Sequence, residues 1–197
     1  MQTSGWIAVG VAAALVLWAI VLHNRLRQLR NRVDNAFAQI DVQLKRRHDL
    51  IPNLVEVARG YMAHEASTLE AVARARGQAA QAAATARRHP GQTAAMAGLA
   101  GAEAALGSSL GQLMVLTENY PDLKADAQMQ SLSEEITSTE NRLGFARQAY
   151  NDEILVYNDQ ASQFPDLVIA RLMGFAHLDM LQATQSAQER AAPQVRF

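Results

Sequence analysis

The strongest constraint on this fold is one line of apolar residues. Leu26, Leu29, Val33, Phe37, Ile40 and Leu44 recur at steps of three and four, and Ile51, Leu54, Ala58 and Tyr61 continue the same phase. Such steps return to one side of an α-helix and to no single face of a strand. The one gap falls at Arg47. The near-3.5 spacing predicts coiled packing against other helices. A stripe of this length must be covered to be stable, and antiparallel helices are the simplest cover. Much of the apolar content is alanine, the best helix former, and aromatics are only 6%. No alternating, β-branched run reads as a strand. The fold class predicted is all-α: an N-terminal transmembrane helix, then an elongated antiparallel bundle of three to four helices whose first helix is very long and kinked at a proline.

The first 24 residues carry no formally charged side chain, and Ser4 to Leu22 (SGWIAVGVAAALVLWAIVL) is an apolar run close to the ~20 residues that cross a hydrocarbon core. Trp6 and Trp18 lie toward its two ends, a fair match to interfacial aromatics. A cleaved signal peptide would want a basic n-region and a small-residue cleavage site. Neither is present, so an uncleaved, single-pass membrane anchor is expected. Arg25, Arg27, Arg30 and Arg32 follow the run directly. By the positive-inside rule they place the bulk of the chain in the cytoplasm, and they are expected to touch anionic lipid. With 197 residues the chain accommodates one folded unit beside the anchor. The boundaries read as a short tail over 1–3, the anchor over 4–23, the bundle over 24–175 and a flexible tail over 176–197, patternless from Gln182.

Along the chain, the stripe continues through Leu69 and Val72 to an alanine-rich tract ending near Arg88. Unbroken, residues 25–88 would form a rod of roughly 95 Å. Pro52 has no N–H for the carbonyl of His48. The helix either kinks there or restarts with Asp49 as its cap, and the continuous apolar phase favours a kink. His89-Pro90-Gly91 is a stop. A second helix follows with Leu99, Leu106, Leu110, Leu113 and Thr117 in phase, and its glycines (98, 101, 107, 111) are expected to admit a close neighbouring backbone. After the turn at 118–122, a third helix is expected over Leu123–Gln163, with the stripe Met129, Leu132, Ile136, Leu143, Ala146, Tyr150, Tyr157 and Phe164. Asp166 is expected to cap a short fourth helix over Leu167–Met173.

Candidate chemistry is sparse. There is no cysteine, which removes disulfides and thiolate chemistry. The five histidines show no three- or four-residue pairing, and no phosphate loop or nucleophile elbow is visible. No cofactor, metal or catalytic residue is expected, and no nucleic-acid partner. Residues 23–60 hold eight Lys/Arg against four Asp/Glu, and residues 92–197 hold six against thirteen, so basic and acidic helices are expected to pair. The stretch Gln39–Val55 concentrates this charge. Lys45 has Asp41 and Asp49 a turn away on either side. Arg46 or Arg47, in phase with the stripe, is expected to meet an acid on the third helix. Tyr150-Asn151 and Tyr157-Asn158 recur seven apart on one face, which predicts a hydrogen-bond ladder at a helix contact.

Three stretches resemble one known family. QIDVQLKRRHDLIPNLVEVARGYMAHE (Gln39–Glu65), ENYPDLKA (Glu118–Ala125), and TENR (Thr139–Arg142) with ARQAYN (Ala146–Asn151) and Tyr157-Asn158 look like the signature of the LemA family of bacterial membrane-anchored proteins. The likeness covers about Asn24 to Phe175. One departure is His23-Asn24, where the family commonly has Tyr-Asn. The resemblance implies an elongated helical bundle, the bacterial envelope and, for some relatives, the building of intracellular membrane compartments. It carries over no catalytic residue. Gln39, Asp41, Lys45, Arg46, Arg47, Pro52, Asn53, Glu140, Arg142 and the two Tyr-Asn pairs are read as helix-contact positions. The expected function is a non-enzymatic scaffold that self-associates and organises the inner membrane. The alternative is an adaptor docked on another inner-membrane protein, such as a protease or transporter. A cysteine placed at Gln2 in intact cells should react with an impermeant thiol reagent and one at Arg190 should not; labelling only at 190 overturns the orientation.

Overall fold

The computed structural model describes residues 2–181. The first helix, α1, is continuous from Gln2 to Tyr61, about 90 Å at 1.5 Å per residue. Its two parts differ. From Gly5 to Val21 the described apolar side chains, Ala19 apart, face outward with almost no cover; Trp6 is 77% exposed and Leu17 64%. From Leu22 on, one face is buried: Leu22, Leu26, Leu29, Val33, Phe37, Ile40, Leu44, Ile51, Leu54 and Ala58. Arg47, the gap in the stripe, is buried on the same face. The helix does not restart near Asp49; it runs through Pro52.

The expected rod to Arg88 ends instead at Tyr61. Met62 N–H closes the last turn on the Ala58 carbonyl, and the chain reverses through Glu65 into α2, Ala66–Arg88. Arg76 and Arg87 of α2 face Asp49 and Asp41 of α1, an order that makes the two helices antiparallel. Periodicity misses this turn because Leu69 lies eleven residues after Ala58, three turns of uninterrupted helix. The core position also moves by one. Met62 is fully buried, whereas Tyr61 is 45% exposed and donates to Asp126 Oδ2 at 3.1 Å.

His89-Pro90-Gly91 turns the chain into α3, Thr93–Thr117. Gly91 has φ +78°, and a Cβ there would fall 2.8 Å from Leu178, so both conformation and space require glycine. Leu99, Leu106, Leu110, Leu113 and Thr117 are buried. By length and hydropathy α3 could also cross a membrane, but these buried leucines mark it as a core helix. Gly98 and Gly111 admit no close backbone, since a Cβ at either would meet nothing within 4 Å, and a Cβ at Gly107 would meet only the Arg47 side chain at 4.0 Å. The small residues buried against α3 are those of α2, namely Ala75, Ala79, Ala83 and Ala86.

The third sequence-predicted helix is divided. Pro121–Ala125 forms a short α4, and Asp126 leaves the helical region to cap α5, Ala127–Ser162. Its Oδ1 accepts from Gln128 N and Met129 N, both at 2.9 Å; these bonds, the one from Met129 foremost, hold its carboxyl below the ordinary range. Phe37–Tyr150, Arg46–Glu135 and Tyr61–Asp126 pair α1 with α5 in opposite order, so α5 runs antiparallel to α1. The expected stripe holds through Tyr157, but Phe164 is 81% exposed. It precedes a proline, which disfavours helical backbone there, and α5 stops at Ser162. Asp166 is not a cap; it is the first residue of α6, Asp166–Met173, behind Pro165. Residues 176–181, expected to begin a flexible tail, lie along α5 with Leu178 and Leu181 buried. The rest of that tail is outside the described residues.

The core falls into three apolar clusters. One gathers Leu29–Leu44 with Met96, Leu99, Leu143 and Tyr150. A second gathers Ile51–Met62 with Leu106, Leu113 and Ile136. The third joins Leu22 and Leu26 to Ala161, Ile169 and Ala170. Met62→Ala should lower unfolding free energy by about 2–5 kcal/mol and Tyr61→Ala by about 1 kcal/mol or less, as measured by denaturant unfolding; the reverse ranking contradicts the turn.

Candidate functional site

Between the first and second clusters the core turns polar on three helices at one level. On α1, Leu44 is followed by Arg47 and His48 before Ile51. On α3, Glu103 separates Leu99 from Leu106. On α5, Thr139 and Glu140 separate Ile136 from Leu143. Arg47 Nη1 donates to Glu103 Oε2 at 3.1 Å and pairs with Glu140 Oε2 at 2.8 Å. His48 Nε2 lies 2.8 Å from Glu103 Oε1. A carboxylate only accepts, so Nε2 carries the hydrogen. Arg47, His48 and Glu103 are each under a tenth exposed, whereas the Glu140 side chain is 47% exposed. One cationic guanidinium thus joins three helices through two carboxylates.

A second polar link sits one turn on. The proline at 52 leaves the His48 carbonyl without its helical donor, and Arg76 Nε of α2 donates to that oxygen at 3.0 Å. The same guanidinium reaches Asp49 at 4.0 Å. The neighbouring residues Arg47 and His48 therefore contact all three partner helices, two by side chain and one by backbone.

The Tyr-Asn pairs form a ladder, but Asn151, Tyr157 and Asn158 bond to the chain's own C-terminal segment, and only Tyr150 meets helices, α1 and α3. Asn158 exchanges two hydrogen bonds with Leu178, Nδ2 to O at 2.8 Å and N to Oδ1 at 3.0 Å. Asn151 does the same with Leu181 at 3.2 and 2.9 Å. Tyr157 donates to the Ala176 carbonyl at 2.9 Å, and the Tyr150 hydroxyl faces Met96 Sδ at 3.4 Å. Burial pushes the Tyr150 phenol up to about 12 and raises that of Tyr157, so both hydroxyls stay protonated donors.

Other sequence-predicted positions are scattered. Arg46 pairs with Glu135 at 3.6 Å, an exposed contact. Lys45 is exposed; Asp41 and Asp49, its expected partners, face Arg87 and Arg76 instead. Gln39, Asn53 and Arg142 are exposed and joined to no described contact of this site, and Pro52, also exposed, acts only through the His48 carbonyl it frees. Arg25, Arg27 and Arg32 are exposed, but Arg30 turns inward, donating to the Pro90 carbonyl at 2.9 Å and facing Asp34 at 3.5 Å. The acid that sequence reasoning missed is Glu103. Its signal was present: it is the only charged residue between Thr93 and Thr117, in phase with Leu99, Leu106 and Leu110, and a buried acid needs a partner. Among the described residues, no three His, Asp or Glu side chains are grouped as a metal site would need.

The fold and site define an all-helical protein in which a long apolar N-terminal helix runs into a bundle with a charge layer at its centre. The chain belongs to the LemA family, whose model matches residues 36–197. That match begins later than the expected Asn24 and takes in the C-terminal segment that sequence reasoning left out. The chain is 27% identical over 84 residues to magnetosome protein MamQ 2 of Paramagnetospirillum magneticum, covering 43% of this chain and 31% of that protein. It is 26% identical over 81 residues to magnetosome protein MamQ of Magnetospirillum gryphiswaldense, covering 41% and 30%. The matched region thus spans under a third of these relatives' length.

Asn158→Ala removes both hydrogen bonds to buried backbone at Leu178 and should cost about 2–3 kcal/mol. It should also raise amide exchange at Leu178 more than at Leu113; unchanged exchange at 178 contradicts the clamp.

Proposed function

We propose that this protein is a membrane-anchored helical scaffold without catalytic activity, which self-associates and organises or remodels a bacterial inner membrane. The observation that carries the reading is the continuity of α1. Its uncovered apolar half passes without a break into the helix on which the bundle is built, so the bundle is held at the bilayer by helix and by no flexible linker. Residues 4–23 supply the anchor, and the basic exit of Arg25, Arg27 and Arg32 favours a cytoplasmic bundle. The relatives named as magnetosome proteins support a role in organising membrane. Self-association is supported by the surface of α5, where Phe145 (76% exposed) and Val156 (48%) lie eleven residues apart on one face, three helical turns.

Mass measurement of the full chain in mild detergent tests this reading, and the expected result is a multimer. A strict monomer, with in-cell crosslinks to one heterologous membrane protein, replaces the scaffold with an adaptor. Replacing Arg25, Arg27, Arg30 and Arg32 together by Gln should disturb orientation and reduce binding to anionic vesicles by about a hundredfold, at roughly 1 kcal/mol for each exposed arginine near the surface; no change in either refutes the lipid contact.

A further inference from the structure

We infer that α6 and the preceding Phe164 form a second membrane contact, a wedge that seats the near end of the bundle in the headgroup region of the bilayer. The inference rests on the anchoring of α1 proposed above and adds a contact that α1 does not make.

Three observations place the wedge. The first is depth. The buried face of α6, Ile169 and Ala170, packs on Leu22 and Leu26, and Ala19 packs against the same cluster. Ala19 lies within the apolar run that ends at Leu22, about 4–5 Å inside its edge. The level of α6 is therefore the boundary between hydrocarbon and headgroups.

The second is rotation. Asp166, Ile169 and Ala170 turn toward the bundle, and Phe175 meets the His23 ring edge-on at 5.3 Å just beyond the helix. The opposite face must point away from the bundle. It carries Val168, Leu172 and Arg171, and Phe164 and Met173 flank it. Phe164 is 81% exposed, Leu172 74%, Met173 59% and Val168 47%. Four large apolar side chains around one eight-residue helix are costly in water, at about 25 cal/mol for each Å² of apolar surface, and the pattern is that of helices lying in an interface.

The third is charge. Arg171 on the exposed face and Arg25 and Arg27 at the exit of α1 are all exposed. Arginine at this depth buries its stem and lifts its guanidinium to phosphate. A lipid surface satisfies the apolar and the basic groups together. The patch is continuous with α1's own apolar surface, which is why the bilayer is the occupant favoured over a second copy of the chain.

The chain has no cysteine, so single cysteines at Leu172, Val168, Ala12 and Phe145 can each carry an environment-sensitive fluorophore in the full-length protein. The chain is reconstituted in vesicles of phosphatidylethanolamine and phosphatidylglycerol, with and without spin-labelled lipid. The expected result is quenching of at least about twofold at 172, 168 and 12, and little at 145 on the bundle flank. If 12 is quenched while 172 and 168 stay unquenched with water-like emission, the wedge is overturned and the anchor stands. If 172 is shielded from water yet unquenched by lipid, a protein surface covers the patch, and the lipid contact is equally overturned. If 12 is unquenched, anchoring itself fails and the wedge falls with it.

Discussion

The structure depends on one buried arginine. Arg47 occupies a core position of α1 where every neighbour in phase is apolar, and Glu103 answers it from an α3 that carries no other charge. Desolvating both ions is expensive, and their attraction offsets the cost only with good geometry and further hydrogen bonds. His48 adds a hydrogen bond to Glu103 and the half-exposed Glu140 adds a second ion pair, while Arg47 Nε stays buried without a partner. Sliding α1, α3 or α5 by one turn would move an ion into the leucines on either side and leave it without a partner, at about 3–5 kcal/mol. The layer therefore sets helix alignment in a bundle whose long apolar stripes, alanine-rich on α2, would otherwise tolerate several registers.

Alignment at the centre has consequences at both ends. At the far end it brings Asp126 to Tyr61, so the cap of α5 and the last turn of α1 are tied together. At the near end it brings Ala161 and α6 to Leu22, the point where the apolar half of α1 begins. The clamp of Asn151 and Asn158 then returns the chain along α5 and packs Leu178 against Gly91. Packed contacts therefore run from the charge layer to the end of the bundle where the apolar half of α1 begins.

The helical class and most core positions were legible because steps of three and four survive in the sequence; Leu26 through Ala58 and Leu99 through Thr117 needed no tertiary information. The turn at Met62 was hidden because the residues on either side of it happen to stay in phase. Asp126 was hidden for a related reason: one capping carboxylate interrupts an otherwise helical run. The polar layer was half legible. Arg47 stood out as a gap in the stripe, but its partner Glu103 is 56 residues away, and only the fold shows that the two gaps coincide. The Tyr-Asn ladder showed its helix face and concealed its partner, since an asparagine amide matches extended backbone as well as it matches a side chain.

The most direct measurement is a double-mutant cycle of Arg47→Ala and Glu103→Ala, followed by denaturant unfolding of the full chain in detergent. Each single variant should lose about 3 kcal/mol because it strands a buried charge. The double variant should lose little more than either, which corresponds to a coupling of about 2 kcal/mol. Losses that simply add would contradict the account, because Arg47 and Glu103 would then be independent core residues and the alignment of the bundle would have another origin.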